Sequence, residues 1–444
     1  MAQRPFRTID AALGWLFSAT NYEQKKIVRY NTREFNVDRA RAILEMLDDP
    51  HLAYPTVHVA GTKGKGSTSA FAAAVLHRWG LESVGLYTSP HLMKLNERIS
   101  INFSAISDAE LLQCINMVKA PVDRVTAGGI HLKPTFFEIF TVIGFLNFAL
   151  RKVNAAVIEV GLGGRLDATN LVRPVATAIS PVSYDHTAVL GATLSLIARE
   201  KAGIIKAGVP VVVGRQHPEA FGVIEATAKA VGAPVRAYGR DYLLYELPGR
   251  RFDLKTTRRC YRGLRVPLLG AHQRQNAATA VALCEEAVER LGGRLSNRVV
   301  SEAFATLNWA GRVELFSETP PIVIDAAHNA ASARALTQAV QEAFPGQKAV
   351  ILIGIAAHKD TRGVIQALLP IAGRFVATTI DSPRSEDARA LAGRIRSRCD
   401  LPVETRTHRR DALTLARRRA GGGLMVITGS FYLAGELRAI LARQ

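Results

Sequence analysis

Short runs of apolar, often β-branched residues alternate with longer stretches of helical apolar spacing over the first half of the chain. Runs of this length and composition predict buried strands, and the stretches between them predict helices. Such alternation is typical of parallel sheets that helices cover. The predicted strands are residues 56–60, 83–88, 155–160, 176–182 and 209–213.

Helices are predicted between these strands at residues 67–79, 135–152 and 193–206. The first of them is rich in alanine and stops at Gly80, a residue that is favoured just past a helix end. Residues 242–269 break the rhythm, because apolar and polar positions alternate there between turn residues, which predicts a small antiparallel ribbon. Helical spacing resumes at about Gln273.

A second series of strands and helices begins at Pro321. Its strands are predicted within residues 322–329, 349–355, 375–380 and 423–430. With helices between them, these runs predict a smaller open sheet. Gly311 precedes the return of the strand pattern, and neither a long linker nor an internal repeat is visible. We therefore predict two domains, residues 1–310 and 311–444.

The composition is that of an ordinary globular protein, with 444 residues of which 48% are hydrophobic and 21% are charged. The longest strongly apolar stretch, residues 136–150, includes Glu138 and Asn147 and is shorter than the roughly 20 residues that span a bilayer. The first residues contain no continuous apolar segment followed by a small-residue cleavage site. We therefore expect a cytoplasmic protein without a membrane partner.

The four cysteines predict neither a structural zinc site nor a disulfide framework. They lie far apart and make no CxxC pair, which both kinds of site commonly use. We expect free and mostly buried thiols at positions 114, 260, 284 and 399.

A surplus of basic residues is the one unusual bulk property, since 57 Lys and Arg against 38 Asp and Glu give a formal charge of +19. An arginine-rich surface without functional meaning is one interpretation. Attraction of anionic small substrates and binding of nucleic acid are the others. The basic residues are scattered, and the densest cluster, residues 417–419, has no interleaved aromatics. Nucleic acid is therefore the weaker functional interpretation.

A glycine loop, GTKGKGS at residues 61–67, connects the strand at 56–60 to the first predicted helix. Glycines let the backbone approach a phosphate, and the N–H groups at the helix start together with lysine charge favour anions. The loop predicts a nucleoside triphosphate site, although Lys65 precedes Gly66 and Ser67 in an order that differs from GxxxxGK[ST]. A glycine turn with a solvated lysine is the alternative.

An acidic residue, Glu159, lies within the apolar strand at 155–160 and precedes the glycine-rich run 161–164. Burying a carboxylate without a nearby cation or hydrogen-bond donors is unfavourable by several kcal/mol. Mg²⁺ beside the phosphates would compensate it. The glycines allow a turn at the carboxyl end of the strand, where open α/β sheets bind ligands, although a structural turn remains the alternative.

Further candidate residues follow other predicted strands. Asp185 and His186 are candidates for contacts to metal or phosphate, but a single histidine is more often a core or surface residue. Lys201 alone indicates only a solvated helix position. The second domain adds Arg312 near the domain boundary and DAAHN at 325–329, whose side chains could contact ribose, a carboxylate or an amine.

The fold that these patterns predict is α/β. The first domain is predicted as a P-loop-type, mostly parallel sheet with the small antiparallel ribbon. The second is predicted as a smaller, Rossmann-like α/β domain.

Together, these segments resemble the folylpolyglutamate synthase/dihydrofolate synthase family, within the Mur ligase superfamily of ATP-dependent amide-bond ligases. EVGLGGRLDATN with REKAGI distinguishes this family from the Mur ligases of cell-wall synthesis. The matching segments are GTKGKGS, YTSPHL (87–92), FFE (136–138), EVGLGGRLDATN (159–170), DHT (185–187), REKAGI (199–204), QNAAT (275–279), GR (311–312), DAAHN (325–329) and TGSFYLAGE (428–436).

The resemblance implies a reaction, its substrates and its cofactors. ATP phosphorylates the carboxylate of dihydropteroate or a reduced folate, and the amine of L-glutamate attacks the acyl phosphate to form an amide. The first domain would bind ATP and the pterin with two Mg²⁺ ions, and the second would be the glutamate-ligase domain. The family also implies a monomer.

The resemblance further implies roles for individual residues. Metal would be bound by Ser89, Glu159 and His186, with Ser67 as a further candidate. Lys201 would carry a carbamate that coordinates the second ion, and Lys65 and His328 would be catalytic, His328 by contacting glutamate or the acyl phosphate. The ATP contacts would be Lys63, Gly64, Lys65, Gly66, Ser67, Asn276, Arg312 and Asp325. The pterin contacts would be Thr135, Phe136, Phe137, Glu138, Leu166, Asp167 and Ala168.

The sequence departs from the family pattern at two positions. Lys63 replaces a common asparagine, which adds positive charge at the phosphates, and DAAHN replaces the commoner DVAHN. Neither change is expected to alter the reaction. The alternatives are another Mur-type amino-acid ligase and a basic P-loop ATPase that binds nucleic acid. The residues do not distinguish dihydrofolate synthase, folylpolyglutamate synthase and a bifunctional enzyme.

Overall fold

The computed structural model describes residues 4–22, 36–129, 133–357 and 359–443. Within them the chain forms two compact units. The large unit contains the chain up to Pro90, Leu95–Arg265 and Gln275–Leu307. The small unit contains His91–Lys94, Val266–Arg274 and the chain from Asn308 onward.

The main sheet of the large unit has the strand order β4-β3-β2-β5-β1-β6-β7-β8. The pairs from β2 to β8 are parallel, and β3 and β4 extend one edge in antiparallel pairing. Every residue of β1 and β5 is buried, as expected for parallel strands covered on both faces. The strands are β1 (Thr56–Ala60), β2 (Val84–Tyr87), β3 (Ile99–Ile101), β4 (Ser104–Ala105), β5 (Ala155–Glu159), β6 (Pro174–Ile179), β7 (Val211–Val213) and β8 (Val235–Ala237).

The helices of the large unit begin and end at residues suited to those positions. The N-cap of α3 is Gly64, in the left-handed region, and its C-cap is Gly80. Capping boxes begin α4 and α5, as Ser107 with Glu110 and Thr135 with Glu138. The helices are α1 (Ile9–Ser18), α2 (Val37–Glu45), α3 (Lys65–Trp79), α4 (Asp108–Ala127), α5 (Phe136–Leu150), α6 (Thr187–Leu190), α7 (Leu194–Ala202), α8 (Pro218–Ala230), α9 (Ala271–Arg290, in this unit from Gln275) and α10 (Asn297–Thr306).

The predicted antiparallel ribbon is present as β9 (Tyr242–Leu247), β10 (Arg251–Thr256) and β11 (Cys260–Arg265). Phe252 and Leu254 on β10 point inward and are fully buried. Tyr261 on β11 is also buried, and its hydroxyl donates to Glu285 on α9 over 2.8 Å. The alternating burial agrees with the alternation in the sequence.

The small unit is a six-stranded sheet, as far as the described residues define it, in the order β12-β13-β17-β14-β15-β16. The β12–β13 pair is antiparallel and the other pairs are parallel. Two apolar clusters form its core. The elements are β12 (Glu314–Glu318), β13 (Pro321–Ile324), α11 (Ala330–Ala343), β14 (Ala349–Ile353), α12 (Thr361–Leu368), β15 (Ala372–Ala377), α13 (Ala388–Arg396), β16 (Val403–Thr405), α14 (Arg409–Ala420), β17 (Met425–Thr428) and α15 (Phe431–Leu441).

The predicted α/β architecture is therefore confirmed, with small shifts at element ends. The strand predicted at 176–182 is β6, which ends at Ile179 because the chain then turns to contact the glycine loop. All four cysteines are free, but only Cys114 and Cys284 are buried, whereas Cys260 is exposed. No helix in the described part of the chain is both long and apolar enough to cross a membrane.

Candidate active site

The carboxyl ends of four neighbouring strands lie at the same edge of the main sheet. Val59 is in register with Glu159, and Ala60 is in register with Ile179. The glycine loop after β1, Ser89 shortly after β2, Glu159 at the end of β5 and the segment after β6 therefore meet at this edge. Open α/β sheets bind their ligands at this position.

The glycine loop is held tightly by its neighbours. The N–H groups of Thr62 and Lys63 both donate to the carbonyl of Pro181, over 3.0 and 3.2 Å. Gly61 and Gly64 have positive φ, and a Cβ atom at these positions would overlap with Ser180 and Asn276 respectively. Glycine is therefore required at both positions, and Asn276 of α9 lies directly against the loop.

The loop leads into α3 in the geometry of an anion site. The first helical hydrogen bond runs from Thr68 N–H to the carbonyl of Gly64, over 2.8 Å. The N–H groups of Gly66 and Ser67 precede that bond, and such groups at a helix N-terminus bind anions together with the helix dipole. The predicted phosphate residues thus share one local structure.

Lys63 is paired within the chain. Its ammonium donates to Asp185 over 2.7 Å. Burial alone would raise the pKa of Asp185, but the hydrogen bond and charge of Lys63 outweigh it, and the pKa is lowered. The positive charge of Lys63 is therefore balanced by the carboxylate of Asp185.

Lys201 on α7 is buried, with 4% of its surface exposed, and its ammonium nitrogen donates to the carbonyl of Gly61 over 2.8 Å. Burial, reinforced by the positive charge of Lys65, lowers the pKa of Lys201 to about 7. A large fraction of the amine is therefore neutral near pH 7, and the neutral amine is the nucleophilic form.

The predicted metal residues come from three segments at the sheet edge. Glu159 is 3% exposed, and one of its carboxylate oxygens accepts the N–H of Ser89 over 3.0 Å. His186 follows β6, and burial lowers its pKa, an effect that Asp185 opposes and the nearby lysines reinforce. A neutral imidazole is the form that binds metal.

The donor set fits Mg²⁺ in particular. The described residues contain no group of three or more His, Cys, Asp and Glu that could hold a metal ion alone. Mg²⁺ does not need such a group, because it binds through one or two carboxylates together with phosphate oxygens and waters. One buried carboxylate, Glu159, at the same sheet edge as the predicted phosphate-binding loop matches that requirement.

The predicted pterin residues at the start of α5 are mostly engaged within the protein. Thr135 and Glu138 form the capping box, and Glu138 also accepts a hydrogen bond of 2.6 Å from Arg39 of α2. Phe136 is buried in the aromatic core. Phe137 is only partly buried, and its ring lies directly against Gly161. Phe137 is therefore the residue of this group that is available to a ligand.

Replacing Arg39 with methionine should lower the free energy of unfolding by about 3 kcal/mol, because the buried Glu138 carboxylate would lose its charge partner. Burial already raises the pKa of Glu138, against the opposing effect of Arg39. Denaturant unfolding measures this change. Arg41→Met is the matched control on the same helix, since its pair with Asp38 is exposed and worth less than about 1 kcal/mol. Equal losses in both variants would contradict the assignment.

The second predicted pterin segment is a loop organised by Asp167. One carboxylate oxygen accepts the N–H and the hydroxyl of Thr169, over 3.0 and 2.6 Å. The other accepts the N–H of Leu162 over 2.9 Å. Because the Thr169 hydroxyl donates to Asp167, it accepts from Nε2 of the buried His58 over 3.0 Å. Asp167 thus holds the loop in shape, and Leu166 and Ala168 beside it are buried.

The predicted site residues of the small unit follow β13. Asp325 accepts the N–H groups of Val313 and Ala327, both over 2.8 Å. Burial raises the pKa of Asp325 to about 6, although these donors and the charge of Arg312 lower it. Nδ1 of His328 donates to the carbonyl of Ala326 over 3.0 Å. Asp325 thereby fixes the loop that carries Arg312.

Several residues that support these sites lie outside the candidate residues that the sequence suggests. Arg39, His58 and Phe431 each contact or position a predicted residue, but they lie far from it along the chain. Arg39 had no signal beyond a basic residue in a helix. His58 had one, since a polar residue within the apolar strand TVHVA requires a buried partner.

Comparison with known proteins agrees with this architecture. The profile of the Mur ligase, glutamate ligase domain matches residues 311–431. The dihydrofolate synthase/folylpolyglutamate synthase of Bacillus subtilis (strain 168) is 34% identical over 407 residues, which cover 90% of this chain and 93% of that protein.

Solved structures are similar over nearly the whole chain. The folylpolyglutamate synthase of Mycobacterium tuberculosis complexed with ADP has a TM-score of 0.86 and 31% identity, and the match covers 98% of each chain. An FPGS–AMPPCP–folate complex has a TM-score of 0.81 and 31% identity, with coverage of 98% of this chain and 99% of that one. On this similarity and the motifs at the sheet edge, the chain belongs to the dihydrofolate synthase/folylpolyglutamate synthase family.

Proposed function

We propose that the protein is an ATP-dependent ligase that adds L-glutamate to dihydropteroate, to reduced folates, or to both. The observation that carries this proposal is the convergence of the glycine loop, Glu159 and Lys201 at one sheet edge, in a chain of this family. ATP is the co-substrate, and ADP and phosphate are the other products.

The reaction has two steps that need positioning and charge stabilisation from the protein. A carboxylate oxygen of the pterin substrate attacks the γ-phosphorus of ATP, and ADP leaves. The glutamate amine then attacks the acyl carbon, loses a proton, and phosphate departs as the amide forms. The N–H groups of Gly66 and Ser67 and the charge of Lys65 hold the phosphates during transfer, with Lys63 and Gly64 completing the loop.

We assign two Mg²⁺ ions to this edge. Bound Mg²⁺ neutralises charge on the phosphate oxygens. Glu159, Ser89 and His186 are the proposed protein ligands, and Ser67 is a further candidate. Lys201 is proposed to carry a carbamate, for which its neutral, buried amine is suited, and the carbamate oxygens would serve the second ion.

The remaining contacts are assigned to both predicted domains, residues 1–310 and 311–444. Asn276 and Arg312 contact the nucleotide. Asp325 supports the nucleotide contact of Arg312 through its hydrogen bond to the Val313 N–H. His328, whose Nδ1 is already donated to Ala326, is assigned through Nε2 to glutamate or the acyl phosphate.

The pterin is assigned to the surface formed by Phe137 and the segment after Gly161. Phe137 offers an aromatic face for a flat heterocycle. Thr135, Phe136, Glu138, Leu166, Asp167 and Ala168 act mainly by holding this surface, because they are buried. We further propose that the enzyme acts as a cytoplasmic monomer, with neither nucleic acid nor a membrane as a partner.

Release of ADP by the purified protein tests the function. The assay contains ATP, Mg²⁺ and L-glutamate with dihydropteroate or with tetrahydrofolate, and each component is omitted in turn. Release that requires both glutamate and a pterin is the expected result. Dependence on dihydropteroate would show dihydrofolate synthase activity, and dependence on tetrahydrofolate would show the polyglutamylating activity. Turnover that needs RNA or DNA instead would overturn the proposal.

Glu159→Gln should raise the Mg²⁺ concentration needed for half-maximal activity by about tenfold or more, because the amide removes the charge that binds the ion. A magnesium titration of ADP release measures this. Glu285→Gln is the control, a buried carboxylate that accepts from Tyr261 and Thr256 on the ribbon side of α9. An unchanged titration in Glu159→Gln would argue against a ligand role.

A further inference from the structure

The aromatic ring of Phe431 lies against the side chain of Arg312. The guanidinium carbon is 4.7 Å from the ring centroid, within the range of a cation–π contact. Arg312 is half-buried, and within the described residues its guanidinium makes no ion pair or hydrogen bond. We propose that Phe431 is a positioning residue that orients Arg312 for an anionic ligand, which under the proposed function is the ATP phosphate chain.

The backbone around Arg312 is fixed independently of any ligand. Gly311 and Val313 on either side both have positive φ, +67° and +48°, and this region is unusual for a β-branched residue. Glu314 accepts the Gly311 N–H over 2.9 Å, and Asp325 accepts the Val313 N–H over 2.8 Å. Strain of this kind persists only where surrounding contacts enforce it, so the structure holds the Cα of Arg312 in place.

A fixed Cα atom does not by itself orient the guanidinium of Arg312, and the ring of Phe431 lies against that group. Arginine has several rotatable bonds, and the entropy lost on binding is smaller when the planar group is already oriented. A ring against the guanidinium face leaves the N–H groups at its edge available for phosphate or carboxylate oxygens. Phe431 therefore supplies orientation without using the donors that a ligand needs.

Phe431 is placed for this role by the chain before it. It is the first residue of α15 and follows β17 after Gly429 and Ser430. Ser430 caps the helix by accepting the N–H of Leu433 over 3.0 Å. The strand end puts the ring at the edge of the small sheet where β13 ends and Asp325 follows. The ring also lies 5.7 Å from that of His328, so it contacts two of the three predicted ligand residues of this unit.

A purely structural role is the alternative, because Phe431 also packs against one of the apolar clusters of the small unit. That role predicts a loss of stability with normal ligand affinity. The positioning role predicts a loss of nucleotide affinity with nearly normal stability. Leucine at position 431 should not prevent that loss, because it is hydrophobic but has no aromatic ring. The two roles are therefore separated by measuring affinity and thermal unfolding on the same variants.

The experiment measures AMPPCP binding by calorimetry in the full-length protein with Mg²⁺, in the absence of folate and glutamate. Phe431→Leu should weaken binding about tenfold, with little change in melting temperature. Phe431→Tyr should restore it, since the ring is kept. Tyr432→Leu is the control, because this neighbouring aromatic is 51% exposed, and it should bind like the wild type.

A double variant makes the test specific to Arg312. In the Arg312→Ala background, Phe431→Leu should cause no further loss of affinity, since the ring then has no guanidinium to orient. Additive losses, or a Phe431→Leu protein that binds normally and melts at a lower temperature, would overturn the proposal. Because this assay contains no pterin, a wrong folate assignment would leave its result intact. A wild-type protein that binds no nucleotide would overturn both proposals.

Discussion

Lys201→Ala should lower the rate of glutamate ligation about a thousandfold, a loss comparable to removal of a principal charge-stabilising group. The physical reason is that the buried amine of Lys201 can react with CO₂ to form a carbamate. Burial lowers the pKa of Lys201 to about 7, so that the neutral amine can react with CO₂ and release a proton. The resulting carbamate would be an anion, and it would replace the amine beside Gly61 with a pair of oxygen atoms that can bind a metal ion.

Three results would distinguish a carbamate at Lys201 from an unmodified lysine. Lys201→Arg should be as inactive as the alanine variant, because arginine keeps the positive charge and cannot be carbamylated. Acetate should partly restore Lys201→Ala by supplying a carboxylate. In protein exposed to ¹³CO₂, a carbamate carbon signal should weaken as the pH falls below about 7, where the amine becomes protonated. An active Lys201→Arg protein, or an unmodified amine in an active preparation, would refute the assignment.

Lys65→Ala should also lower the rate of ATP-dependent ligation about a thousandfold. The reason is that phosphoryl transfer depends on neutralising the negative charge of the phosphates. Lys65 is the first residue of α3, and its charge lowers the pKa values of His186 and Lys201. Its field thus reaches the other groups at the sheet edge. The measurement is ADP release at saturating glutamate and pterin.

Lys63→Asn provides the contrast on the same loop. The charge of Lys63 is already balanced by Asp185. The expected loss is therefore much smaller than for Lys65→Ala. Near-normal turnover of Lys65→Ala, or equal losses at both lysines, would contradict the role given to the loop.

The parts of the fold and site that could be predicted depend on patterns of residues that are close together along the chain. A strand, a glycine loop and a helix follow one another from Thr56 to Trp79, and the register of parallel strands then brings Glu159 to the same edge. The short edge strands β8 and β16 were not predicted. Each is three residues long and includes a charged residue, Arg236 or Glu404, so neither has an apolar pattern to detect.

The parts that could not be predicted depend on contacts between distant segments. Arg39 and Glu138 are 99 residues apart, and nothing local to either position indicates the pair. Likewise, the motif around Asp167 does not reveal that this carboxylate accepts the N–H groups of Leu162 and Thr169, which hold the loop. Its contact with the pterin stays a prediction from the family resemblance. A carboxylate in a motif does not reveal which of its partners are ligands and which are neighbouring backbone groups.

The carbonyl of Pro181 accepts the N–H groups of both Thr62 and Lys63. The first half of the loop is anchored to the chain after β6 before any phosphate arrives. A preformed loop loses little conformational entropy on binding, so more of the interaction energy of the phosphates remains as affinity. Pro181 has no backbone N–H group that would need a partner at this crowded point. Proline therefore suits a position where the backbone only accepts hydrogen bonds.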